Sequence, residues 1–254
     1  MPAVTRFLRE EWATRGFVPA VDVLSADEAL EARARFNELE AEVGRDTAEI
    51  RLQNRHLDRE FVWRLATAPR VLDAVEGVLG PDFLLLSSHF FCKYPVEERG
   101  ERFVAWHQDV TYWGLEPPRA LSGWLAIDDA DEANGCMRVI PGSHRGGILS
   151  HGTSGRAGNL LSVDQEVPRD LFDERHAVSV PLRTGQMSLH DGMLLHSSHP
   201  NRSSRRRCGL AIRFVPTEVK QVTANSLGHR LTAVLVRGTD RYRYFPPCAV
   251  PWTR

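Results

Sequence analysis

The chain has 254 residues, 42% of them apolar and 26% charged, with a formal net charge of -1. That supplies one sizeable core, and the balanced charge gives no global attraction to nucleic acid or to an anionic membrane surface. The four cysteines, Cys92, Cys136, Cys208 and Cys248, lie far apart without a Cys-x-x-Cys pair, which suggests neither a zinc knuckle nor a disulfide framework and fits a reducing compartment.

Met1 to Phe7 hold no apolar stretch of signal-peptide length, and no later run approaches the roughly 20 apolar residues of a membrane span, so a cytoplasmic location is expected. Thr5 to Thr14 reads as a short helix, followed by a brief extended piece at Gly16 to Pro19. Ser25-Ala26-Asp27-Glu28 is a capping box, after which Leu30, Phe36, Leu39 and Val43 keep one helical face until Gly44. Arg59 to Ala68 and Pro69 to Leu79 give two more helices, the second opened by proline and closed by Gly80. From Asp82 the texture changes to short β-rich runs: Phe83 to Tyr94, Leu121 to Asp128, Met137 to Ile140, Val178 to Leu182, Met187 to Leu189 and Arg207 to Val215. Gly, Pro, Asn and Ser turns separate them, as in antiparallel barrels and jelly rolls. No linker or charge block interrupts the chain. The expectation is a single domain over 1–254, with helical support over 1–80, a β core over about 82–216 and an extension over 217–254. The fold class expected is mainly β, with the N-terminal helices buttressing a β-sandwich.

Trp106-His107-Gln108-Asp109 is the stretch with chemistry. In an extended segment residues two apart share a face, so His107 and Asp109 present an imidazole and a carboxylate side by side, as two ligands of one metal would. The spacing alone is weak, because about 0.6 His-x-Asp triplets are expected by chance in such a composition. His56-Leu57-Asp58 repeats it, but within a charge-rich run with helical periodicity, where residues two apart splay to different faces. His107 instead stands among Phe103, Trp106, Tyr112 and Trp113, ahead of Gly114 and Pro117-Pro118.

A catalytic metal needs a further ligand, and His190, His196 and His199 are the candidates. The Pro200-Asn201-Arg202-Ser203 turn and the run from Arg207 then suggest a hairpin. On that returning strand Arg207, Gly209 and Ala211 share one face and Cys208, Leu210, Ile212 and Phe214 the other. Small residues thus leave room around a guanidinium able to grip a carboxylate with two parallel hydrogen bonds.

Trp106 to Asp109, Asn134 to His144 and His196 to Ser203 followed by Arg207 together resemble the phytanoyl-CoA dioxygenase family of iron(II)- and 2-oxoglutarate-dependent oxygenases. The resemblance runs from about Thr5 to Phe214. It implies a double-stranded β-helix, a cupin-like jelly roll. It further implies His107, Asp109 and His196 as iron ligands, Arg207 as the partner of the far carboxylate of 2-oxoglutarate, and Trp124 and His89 as lining of the 2-oxoglutarate site. Fe(II), 2-oxoglutarate as cosubstrate and O₂ are the cofactors so implied, with release of succinate and CO₂. Halogenating relatives carry Ala or Gly where this chain has Asp109, so hydroxylation of an unactivated C–H bond is expected. The substrate expected is a small natural-product or amino-acid-like molecule, since no basic groove suits coenzyme A. The alternative is a jelly-roll binding protein that has lost turnover. His144, His151, His190 and His199 read as turn or surface histidines, with His190 the fallback ligand, and Arg202, Arg205 and Arg206 as a solvated turn. Tyr112 and Trp113 read as core or rim aromatics near substrate. Arg237 to Asp240 with Tyr242, Tyr244 and Phe245 are candidates to close over the pocket.

Overall fold

The computed structural model describes residues 3–252. Helix α1 (Ala3–Arg15) leads through Gly16 into strand β1 (Phe17–Asp22). Helix α2 (Ala26–Val43) begins at the reciprocal capping box: the Ser25 hydroxyl accepts from the Glu28 N–H and the Glu28 carboxylate accepts from the Ser25 N–H. Its buried stripe is Ala29, Ala32, Phe36 and Leu39, at alternating spacings of three and four residues. Leu30, expected on this stripe, is exposed instead, because one step around the helix carries it off the buried face. α3 (Arg45–Ile50) has no counterpart in the sequence reading, whereas α4 (Glu60–Ala66) and α5 (Pro69–Leu79) fall where periodicity places them.

The remaining strands are β2 (Phe83–Lys93), β3 (Val104–His107), β4 (Leu115–Glu116), β5 (Leu121–Ala126), β6 (Met137–Val139), β7 (Gly152–Thr153) and β8 (Gln165–Glu166). After them come β9 (Val178–Val180), β10 (Gln186–Asp191), β11 (His196–Ser198), β12 (Arg207–Pro216), β13 (Lys220–Gln221) and β14 (Val234–Arg237). They build a six-stranded sheet in the order β1-β10-β5-β12-β2-β14 and a four-stranded sheet in the order β3-β11-β6-β9, with two small two-stranded ribbons. Both large sheets are antiparallel, and the fold is a helix-buttressed jelly roll. Among the described residues no helix is long and apolar enough to cross a membrane.

Alternation along β2 and β12 sorts side chains between two compartments. Phe83, Leu85, Phe90 and Cys92, with Cys208, Leu210, Ile212 and Phe214, join Phe36, Leu39, Val62, Val71 and Val75 of the helices in the main core. The opposite face of the same strands is left for the space between the sheets. The expected hairpin between His196 and Arg207 does not form. β11 pairs with β3 and β6 in the small sheet, whereas β12 pairs with β2 and β5 in the large one, so the turn at Pro200 carries the chain from sheet to sheet. Sheet switching of this kind depends on long-range pairing, which turn residues do not encode.

Two further expectations are corrected. Arg206 is not part of a solvated turn: its guanidinium, 17% exposed, donates to both oxygens of Asp128 at 2.8 and 3.2 Å and to Glu40 of α2 at 2.8 Å. It ties the helical layer to the end of β12, while Arg202 and Arg205 are exposed as expected. Arg237 pairs with Asp73 and Glu76 of α5, Tyr242 and Tyr244 stack on each other at the surface, and Phe245 packs against Leu84 and Trp113. None of residues 237–245 lines the cavities described below. Because Arg206→Ala strips the buried Asp128 of its two-bond partner and leaves it the half-exposed Arg33 and the Cys208 N–H, it should lower the unfolding free energy by about 3 kcal/mol. Arg205→Ala, removing an exposed pair with Asp131, should cost less than about 1 kcal/mol in the same denaturant titration.

Candidate metal centre

His107 ends β3 and His196 begins β11, and the two are directly opposed across the ladder. The Gln108 backbone between His107 and Asp109 is extended, φ -120 and ψ 128, so the two ligating side chains point the same way although Asp109 already opens a short 3₁₀ turn. Gln108 points oppositely and is fully buried. Its side-chain amide donates to the carbonyls of Gly147 and Met193 and its oxygen accepts from the Leu149 N–H, which fixes the segment. One nitrogen of each imidazole and one oxygen of Asp109 all lie within 4.8 Å of one another, and the three residues are 3%, 7% and 3% exposed for His107, His196 and Asp109.

Backbone carbonyls behind the two rings decide which atoms face inward. The Nδ1 of His107 lies 2.9 Å from the Ala105 carbonyl and that of His196 lies 2.9 Å from the Leu194 carbonyl. A carbonyl only accepts, so both rings carry the proton on Nδ1 and turn a lone pair on Nε2 toward Asp109. Those Nε2 atoms are 3.6 and 4.0 Å from Asp109 Oδ1, while Oδ2 accepts from the Ser122 hydroxyl at 2.6 Å. Burial would raise the Asp109 carboxyl, but Arg213, whose Nε lies 3.7 Å from Oδ2, holds it well below the ordinary carboxylate value. Burial, and then His107 and His190, keep His196 neutral. Two imidazoles and one ionised carboxylate converging on one point are the donor set of a non-haem iron site with open positions. The residues fit the metal that the sequence led us to expect.

Residues of β5 and β12 close the other wall. Arg207, 3% exposed, lies with its guanidinium carbon 5.2 Å from the Trp124 ring centre, and its Nε has no hydrogen-bond partner among the described residues. Gly209 makes the arrangement possible, since a Cβ there would stand 2.0 Å from the Trp124 ring. His107, Asp109, His196, Trp124 and Arg207 border one cavity.

A sequence profile of the phytanoyl-CoA dioxygenase (PhyH) family matches residues 12–209. The chain belongs to this family. Phytanoyl-CoA dioxygenase 1 of Oryza sativa subsp. japonica is 30% identical over 112 residues, 44% of this chain and 38% of that protein; the chain spans less than half the length of the plant relatives it matches. Among solved structures, ThoJ, a non-heme monooxygenase in its apo form, superposes with a TM-score of 0.80 at 33% identity, over 96% of this chain and 88% of that one. The epimerase SnoN, in complex with Fe3+, alpha ketoglutarate and nogalamycin RO, shares the fold at a TM-score of 0.71 and 23% identity, with 87% of each chain covered.

Within this PhyH-family site the remaining sequence candidates sort by sheet. His190, read as a turn or surface residue, is instead 2% exposed on β10, with Nε2 3.6 Å from Asp109 Oδ2 and its ring 4.6 Å from that of His196. Alternation with Ser188 was the available signal, since Met187 and Leu189 take the core side. His144 is also buried, against Gly16, whereas His199 is exposed and His151 half-buried. His89 stands on β2 beside Phe91, its Nε2 2.6 Å from the Ile50 carbonyl, and borders a neighbouring cavity rather than the one that holds Arg207 and Trp124. Lys93, which the sequence reading passed over, is fully buried opposite Arg207 and donates to Ser198 Oγ and the His199 carbonyl, each at 2.5 Å. Burial, and then Arg207, press its ammonium well below the ordinary lysine value.

The decoy pair is separated. His56 is buried against Ser88 Oγ at 2.7 Å and Asp58 turns outward to Arg55. Burial lowers the His56 imidazole from 6.5 to about 4, so in that window the unfolded chain takes up a proton that the folded chain refuses. Stability should be full above pH 6.5 and fall on acidification toward pH 4, with His56 contributing on the order of 3 kcal/mol. Denaturant titrations across this range should show a shallower pH dependence in His56→Gln, whose iron content should equal that of the unaltered protein.

Proposed function

We propose that this chain is an Fe(II)- and 2-oxoglutarate-dependent dioxygenase that hydroxylates an unactivated C–H bond of a small natural-product or amino-acid-like molecule. The carrying observation is one cavity that sets His107, Asp109 and His196 at one side and the unpartnered, buried Arg207 at the other. Iron(II) bound there supplies the redox chemistry that couples decarboxylation of 2-oxoglutarate by O₂ to substrate oxidation. One oxygen atom goes to succinate and the other to the substrate hydroxyl, and CO₂ leaves.

The protein groups do the holding and orienting. The Ala105 and Leu194 carbonyls keep both imidazoles in the ligating tautomer, and Ser122 keeps one Asp109 oxygen occupied so that the other is directed inward. A guanidinium buried without an acceptor is costly, and the far carboxylate of a dicarboxylic cosubstrate removes that cost with two charged hydrogen bonds. Trp124 fixes the plane of that guanidinium and walls the cosubstrate from solvent. His89 acts, on this reading, as a lining residue of the adjoining space. Asp109 retains the carboxylate ligand that a halogenating site gives up, which supports hydroxylation.

His107→Ala and His196→Ala should each abolish stoichiometric iron binding and 2-oxoglutarate-dependent succinate release, whereas His190→Ala keeps its iron. Retained turnover in His196→Ala with loss in His190→Ala would reassign the third ligand. Arg207→Lys keeps the charge but not the planar fork, so 2-oxoglutarate affinity should fall about tenfold or more, and further in Arg207→Ala, with iron affinity little changed. Calorimetric titration of the iron-loaded variants under anaerobic conditions measures both. Iron binding without succinate release on any substrate would favour a binding protein.

A further inference from the structure

Beside the cavity that holds the three metal-ligand candidates lies a second one. They meet at Phe91, Asp109, Leu161 and Arg213, which line both. Arg207 and Trp124 border only the first, which holds about 50 Å³; the second, on the far side of Asp109, holds about 140 Å³. The larger one is walled by Leu86, Trp113, Leu160 and Leu231 and carries the Tyr112 hydroxyl, which is buried without a partner. A bulge in the β2–β12 ladder next to Arg213 brings both Leu86 and Ser87 to that wall.

Arg213 stands at the junction. It shares the inward face of β12 with Arg207, and its guanidinium carbon lies 5.9 Å from the Phe91 ring centre and 5.6 Å from that of Trp113. Among the described residues its Nε is buried without a hydrogen bond, and the nearest carboxylate oxygen, on Asp109, is too far at 3.7 Å to be one. Aromatic faces orient a guanidinium but do not satisfy its donors, so the fork is held and left open.

Charge points the same way. Apart from histidines, the charged side chains lining the two cavities are Arg207, Arg213 and Asp109, an excess of one positive charge. Iron(II) and the 2-oxoglutarate dianion cancel each other, so the loaded site keeps that excess in a space of low dielectric. Lys93 lines neither cavity and is tied to Ser198 and His199.

We propose that the second cavity is the substrate chamber, and that Arg213 anchors there the carboxylate of an organic acid whose apolar body lies along Trp113 and the leucines. This rests on the assignment of Arg207 to 2-oxoglutarate. Arg213 is thereby a specificity-determining residue: it fixes one end of the substrate beside Asp109, and the reach from that end selects the carbon that is oxidised.

Binding is measured calorimetrically on protein loaded with Ni(II) in place of iron and with excess 2-oxoglutarate, so that no turnover occurs. The probes are hexanoate, 4-phenylbutyrate and indole-3-acetate, each beside its primary amide. At least one acid should bind about tenfold more tightly than its amide, and Arg213→Gln should erase that difference. Arg207→Gln should preserve the difference while weakening 2-oxoglutarate. If the glutamine variant does not fold, Arg213→Lys serves in its place, with acid affinity falling roughly threefold or more and amide affinity unchanged. No preference for any acid, or a preference that survives at Arg213 variants, overturns the proposal. Failure of 2-oxoglutarate to depend on Arg207 is a separate result that sinks the cosubstrate assignment; the acid-to-amide comparison in Arg207→Gln then still decides Arg213.

Discussion

A carboxylate removed from water has to be compensated, and around Asp109 a hydroxyl and a guanidinium are arranged to do so. Ser122 donates to it from β5 and Arg213 faces it from β12, while His107 and His196, on β3 and β11, aim their ring nitrogens at the same point as the carboxylate. Without those groups the side chain would take up a proton and lose its value as a ligand. They come from both sheets, so the centre exists only when the two sheets close on each other. The jelly roll is therefore the means by which distant strands neutralise one buried charge.

The same closure explains what the sequence could and could not say. His107 and Asp109 were legible because one extended residue separates them, and the helix start at Ser25 was legible because a capping box is local. The division of β12 into a core face and a pocket face followed from alternation alone, and the inward-facing Arg207, Gly209 and Ala211 lie where that pattern puts them. Arg213 continues the pattern by one more step and was within reach of the same reasoning.

What stayed hidden depends on which sheet a strand joins. Reading His196 and Arg207 as a hairpin put them on one ladder, whereas they belong to opposite sheets and meet across the pocket. His190 read as a turn or surface histidine, yet it lies inside β10. Arg206 sits among turn arginines, and nothing nearby in sequence announces that Glu40 and Asp128 wait for it. Pairings at separations of 78 and 166 residues are settled by tertiary packing.

Strand β12 carries both inward-facing guanidinium groups and, on its reverse side, a row of core residues. Arg213 lies six positions beyond Arg207, which sets their α-carbons about 20 Å apart. The strand is in effect a graduated ruler whose divisions are pairs of residues, because a shift by one would turn a cation into the helix-facing core and a hydrophobe into the pocket. Divergence among descendants of this chain can then move the anchoring charge along the pocket only in whole divisions. Finer adjustment of reach must come from the aromatic walls.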